Sequence, residues 1–352
     1  MSRLEERYRL LLRLLPADYR REWEDDMVAA FLESMDTGDA ETSAYVADYG
    51  RPQLSEVASV IALAARLRLG GTDAPPRSYA WGEAVRLATL MATLAHAVMV
   101  TAGVAITTWL SGNIAWLPAP PPDWMPVAAG NLWRTAWDLA DYAWLPAYVA
   151  LVLGHRRVAQ ALALLAILPP ALTNAVRQAA GEVPPSASPW VMLLLDGVLV
   201  LAMAAFHDDA APVPRRRWLR ALPIGILLVP VPLFAVQATS QVLRLLDWPG
   251  LSCVLVSVAT VIHLAGRRPY RPARALPWSL ALTLLATTIL ALRLVTMVDY
   301  GHQAQHATLL TIAAAEAAVL LAVGAPLAAM TIRALRRLPA APTEPPREGI
   351  GP

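Results

Sequence analysis

From Ala84 to Ile332 the sequence is a succession of apolar runs, each close to the roughly 20 residues that cross the hydrocarbon core of a bilayer. Eight can be drawn: Ala84–Leu110, Ala136–Leu153, Val158–Val176, Pro189–Phe206, Leu219–Thr239, Pro249–Ala265, Leu276–Val298 and Ala307–Ile332. Composition agrees. The 352-residue chain is 57% hydrophobic and 16% charged, with mean hydropathy +0.45, whereas a soluble chain carries about 25% charged residues. The expected fold is therefore all-α: a polytopic membrane protein of eight transmembrane helices behind a small N-terminal cytoplasmic helical domain. An ordinary soluble enzyme is a poor fit.

All 29 basic residues are arginine, and their placement orients the spans. Arg156 and Arg157 follow the second run, Arg215, Arg216, Arg217 and Arg220 the fourth, and Arg267, Arg268, Arg271 and Arg274 the sixth. Arg333, Arg336, Arg337 and Arg347 follow the eighth. The opposite side holds only Arg134, Arg177 and Arg244 near the span ends. By the positive-inside rule both termini are expected to be cytoplasmic, with the first apolar run as the insertion signal. The all-arginine basic set, with so much Ala, Leu and Pro, suggests a GC-rich bacterial genome, and so a bacterial inner membrane. Cys253 is the single cysteine, so an internal disulfide or a thiolate metal cluster is excluded.

Residues 1–80 differ in character, with 10 arginines against 14 acids. Four short helices are expected over residues 1–70, followed by a Gly/Pro linker at 71–83, the membrane domain at 84–335 and a Pro-rich disordered tail at 336–352. Tyr8, Leu11, Leu12 and Leu15 share a face of the first helix. Tyr19, Trp23, Met27 and Phe31 recur every four residues on the second. A third helix covers Glu41–Tyr49, and a fourth, from Pro52 to Leu69, turns Leu54, Val57, Ile61 and Ala64 inward.

The stretch Tyr8-Arg-Leu-Leu-Leu-Arg-Leu-Leu-Pro-Ala-Asp-Tyr-Arg20, with Met27 and Phe31 beyond it, resembles the cytoplasmic permease prefix domain that precedes some bacterial ABC-transporter permeases. Related helical heads occur on membrane proteins encoded beside PadR-type regulators. Glu56–Gly70 and the start of the first run are similar to uncharacterised actinobacterial multi-pass proteins. The resemblance implies a membrane address and a soluble partner, an ABC ATPase or a transcriptional regulator. The face that would dock it carries Trp23, Phe31, Glu22, Asp25 and Asp26. The body departs from those permeases, which have few spans and a large extracytoplasmic domain.

Ionisable groups inside a bilayer are costly and call for a reading. Asp196, Arg293 and Glu316 fall within runs four, seven and eight, at comparable depth from the outer side, so Arg293 could pair with either acid. They form either a ligand or proton site, with Asp138, Asp141 and Arg177 at its mouth, or a buried ion pair that fixes packing. His96 and His263 are single polar residues suited to interhelical hydrogen bonds. Asp299, His302 and His306 would stack two imidazoles if the segment were helical, making His302 and His306 the candidates for a metal, against a solvated loop as the alternative. Pro169-Pro170 would free carbonyls that line a cavity or are absorbed by neighbours.

A P-loop, a G-x-S-x-G, a zinc-protease helix and a dinucleotide fingerprint are all absent from the sequence, so no cofactor is expected. Nor is a nucleic-acid partner. The leading reading is a non-enzymatic permease-like or signalling protein of the lipid bilayer whose head docks a soluble partner. The others are an autonomous secondary transporter using Asp196, Arg293 and Glu316, and an intramembrane lipid-modifying enzyme.

Overall fold

The computed structural model describes residues 2–35, 38–39, 45, 49–70, 74–110, 139–181, 186–207, 210–228, 248–266, 272–300 and 306–338. Every regular element among them is helical. They are α1 (Arg3–Leu12), α2 (Ala17–Met35), α3 (Leu54–Leu69), α4 (Pro76–Leu110), a 3₁₀ turn (Asp141–Ala143) leading into α5 (Trp144–Leu153), α6 (Arg156–Ala179) and α7 (Ser188–Ala202). A second 3₁₀ turn, Met203–Ala205, follows, and then α8 (Arg215–Leu228), α9 (Trp248–Ala265), α10 (Pro272–Tyr300) and α11 (His306–Arg336). The chain divides into a head unit built on Met1–Gly82 and a helical body of Glu83–Phe206 and Pro212–Leu338.

In the head, Ser2 caps α1 by accepting the Glu5 N–H at 3.2 Å. Leu4, Tyr8, Leu12 and Leu15 bury against Val28 and Phe31 of α2 and Val60 and Ala64 of α3. The Tyr8 and Phe31 rings stack with centroids 4.0 Å apart. Two expectations are corrected. Leu54 and Ile61 point outward, 88% and 50% exposed, because the residues of α3 that reach the core are Val60 and Ala64, with Leu63 and Leu67 packed against it. Phe31 belongs to the core and offers no docking surface. Of the third expected helix, only Tyr45 and Tyr49 lie among the described residues.

The α2 acids are only partly available. Arg9 bridges Glu5 at 3.1 Å, Glu24 at 3.4 Å and Asp25 at 3.0 Å. The Glu5 hydrogen bond and then the Asp25 one hold the Arg9 guanidinium above its ordinary range. Trp23, Glu22 and Asp26 stay exposed.

Among the described residues, six helices are long and apolar enough to cross a membrane. They are α4, α6, α7 (extended through the 3₁₀ turn to Ala205), α9, α10 and α11. Their outward residues, such as Leu194, Leu201, Ile262 and Val298, are more than 60% exposed and suit a lipid surface. Two of the eight expected spans are not found at full length. The second is a shorter apolar helix, Asp141–Leu153. It ends, as that run does, at Leu153, where Gly154 adopts φ 96 and the His155 N–H reaches the Ala150 carbonyl at 2.8 Å, a left-handed stop. The first residues of the run, 136–138, lie outside the described residues. The fifth begins as α8, and its remainder, 229–239, lies outside the described residues.

The last two helices form a long antiparallel pair, and α9 packs along both around Cys253, Val256, Ala286 and Leu320. Elsewhere α5 lies on α6 and α6 on α7. Helix α8 meets α4 at Gly225, where a Cβ would sit 2.7 Å from Val98 Cγ2, so only glycine lets the two backbones approach this closely. The Tyr148 hydroxyl donates to the Trp218 carbonyl at 2.7 Å and ties α5 to α8.

Candidate functional site

The intramembrane charges separate into two clusters. Arg293 of α10, 1% exposed, pairs with Glu316 of α11, whose side chain is 9% exposed. Its guanidinium also donates to the Tyr300 hydroxyl at 3.1 Å and lies 5.7 Å from the centre of that ring. Burial of both partners makes this an ion pair that joins two helices, the packing alternative of the sequence reading.

Asp196 takes a different partner. On α7 its carboxylate lies 3.3 Å from Nε2 of His96 on α4. The His96 ring stacks on Trp144 at 4.2 Å and tilts against Trp248 at 5.1 Å. Both side chains of the pair keep about a fifth of their surface open, 17% and 20%, because they form part of the wall of a cleft of about 750 Å³. The volume falls within the roughly 300–1,000 Å³ of small-molecule sites. Residues of α4, α5, α6, α7 and α9 line it, mostly apolar, with Asp141, Tyr142 and Asn174 as further polar groups. Neither Arg293 nor Glu316 borders this cleft.

Local sequence explains the wall. Pro169 and Pro170 sit inside α6, and a proline at 170 removes the N–H that would have bonded the Ala166 carbonyl. Ala166 and Pro170 both line the cleft. The rim is braced where the Trp190 indole donates to Gln178 Oε1 at 3.0 Å.

Known proteins offer no parallel. No family model matches the chain, and no curated protein or solved structure matches it. The site therefore stands on its own geometry.

Of the expected mouth residues, Asp141 lines the cleft, Arg177 is exposed near the end of α6 outside the lining, and Asp138 lies outside the described residues. Sequence reasoning misses Trp144 and Trp248 as site residues, and it gives His96 no role beyond an interhelical hydrogen bond. A signal is nevertheless present: His96 and Asp196 are isolated polar residues on apolar helices, and each lowers the other's cost. His263 does bridge helices, with Nε2 2.9 Å from Ser279 Oγ.

The metal reading of Asp299 and the two histidines fares differently. Asp299 accepts the Ala187 N–H at 3.0 Å and the Ser188 N–H at 2.8 Å, capping the start of α7 from the end of α10. A carboxylate at a helix N-terminus is favoured by the dipole and by the open N–H groups there. His306 opens α11, and His302 lies outside the described residues. Among the described residues no group of three His, Cys, Asp or Glu is placed to hold a metal. Asp299→Ala is expected to cost about 1–2 kcal/mol. Hydrogen exchange should then speed up at the 187 and 188 amides while α9 is unchanged, and unaltered exchange there would refute the cap.

Proposed function

We propose that the chain is a non-enzymatic, permease-like protein of the bacterial inner membrane whose body binds a small ligand in the cleft beside His96 and Asp196. The carrying observation is that this ionisable pair forms part of the wall of a 750 Å³ cavity rather than being sealed in a helix interface. Arg293 and Glu316 are assigned to packing, which narrows the transporter reading to Asp196. The arginine-rich segments after runs two, four, six and eight support cytoplasmic termini.

A ligand site must be open to water, whereas a gap between helices can be filled by lipid chains. Gly103→Cys and Ala171→Cys, both on the lining, separate the two cases with a charged, water-soluble maleimide. The native Cys253, 1% exposed, serves as the blank. Labelling at both positions is expected. Absence of label at both, in protein that remains folded, would mean a lipid-filled seam and end this reading.

A second reading concerns the head. Trp23, 44% exposed, lies among Glu22, Asp25 and Asp26 on the outer face of α2. This supports docking of a soluble partner, an ABC ATPase or a transcriptional regulator, through an apolar anchor with an acidic surround.

A further inference from the structure

We infer that the ligand of the cleft is an organic cation with an apolar body; the inference rests on the cleft being a ligand site. Three features of the wall support it. Among the described residues that line it, the acids are Asp141 and Asp196, the only ionisable base is His96, and there is no arginine. In a chain with 29 arginines, that distribution is informative.

Second, the Asp196 carboxylate lies beside an imidazole that is itself packed on two indoles. His96 sits 3.3 Å from it while stacking on Trp144 and leaning on Trp248, so imidazole, carboxylate and two indoles meet at one place. Indole faces attract cations through their quadrupole, most strongly where water is excluded. A carboxylate adds Coulomb attraction, screened less beside an apolar wall than in bulk water. An anion there would meet two acids and the negative faces of the rings.

Third, the remaining lining is largely aliphatic or thioether, which rewards an apolar body over a small hydrated ion such as sodium. A quaternary ammonium, a phosphonium or a protonated hydrophobic amine fits this description.

The test uses the full chain in detergent and two probes of matched shape and opposite charge, tetraphenylphosphonium and tetraphenylborate, with binding to protein-free micelles subtracted. Saturable phosphonium binding is expected, with borate weaker by about tenfold or more. Asp196→Asn should weaken phosphonium binding by a similar factor. Gly103→Phe should block it, since no atom lies within 4 Å of a Cβ at Gly103 and an added ring can enter the cleft without a clash.

Borate binding as well as phosphonium, and being lost in Gly103→Phe, would overturn the cation while keeping the cleft as a site. Phosphonium binding indifferent to both substitutions would overturn it as well, by placing the ion elsewhere. Binding of neither ion would also overturn the cation, and the maleimide result then decides separately whether the cleft is a site at all. Should Asp196→Asn fail to fold, the two probes compared in wild type and Gly103→Phe still establish which charge the cleft accepts.

Discussion

Replacing Glu316 with alanine is expected to destabilise the body by about 3–5 kcal/mol, because it strands the Arg293 guanidinium in a site with 1% exposure. Removing both charges should behave differently. In Arg293→Met combined with Glu316→Leu, apolar side chains of similar volume replace the pair, and most of the loss should be recovered. Unfolding midpoints of the purified protein in detergent measure this. A Glu316→Ala midpoint equal to wild type would show that the pair does not hold α10 to α11. The double variant should also retain whatever binds in the cleft, since neither residue lines it. Loss of binding in a well-folded double variant would return these charges to the site.

The second large effect concerns the head. Among the described residues its core has eight buried side chains, and Phe31, stacked on Tyr8, is the largest contribution of α2. Phe31→Ala should cost about 3–5 kcal/mol, close to the whole stability of so small a unit. Amides of α1 and α3 should then exchange freely in the full chain while the body is unaffected. Trp23→Ala makes the complementary case. Its side chain is 44% exposed, so the head should stay folded while co-purification of a soluble partner is lost. Retention of the partner by Trp23→Ala would remove this face from consideration.

Much of the architecture is legible because bilayer crossing imposes a length and a composition on each segment. The six long helices follow from that rule. Of the second run the structure describes the shorter helix Asp141–Leu153, and 136–138 lie outside the described residues. In the head, α1 follows its pattern, whereas α3 does not. Leu54 and Ile61 are as apolar as Val60, and hydropathy alone cannot choose between two adjacent stripes when only one side of the helix meets the core.

The site is half legible. Asp196, Arg293 and Glu316 announce themselves as charges in apolar runs. Their sequence positions give depth but not adjacency, so the choice of Arg293 between the two acids stays open at that level. Helix packing makes that choice: α11 lies along α10. The partner of Asp196 comes instead from α4, a helix far away in sequence, and the rings that frame it come from α5 and α9.

The Arg293–Glu316 pair also bears on how the chain is made. The arginine lies on α10 and its acid on the next helix, so a growing chain presents the cation before its counter-charge has been synthesised. An arginine in an apolar helix raises the cost of entering hydrocarbon, by about 2.5–3.5 kcal/mol at the helix centre and less toward an end, and α10 bears its share alone until α11 emerges. The two helices are thereby coupled in time as well as in space. They behave as one hairpin at the point of synthesis, and a chain halted after Tyr300 would hold its last helix in the bilayer less firmly than the finished protein does.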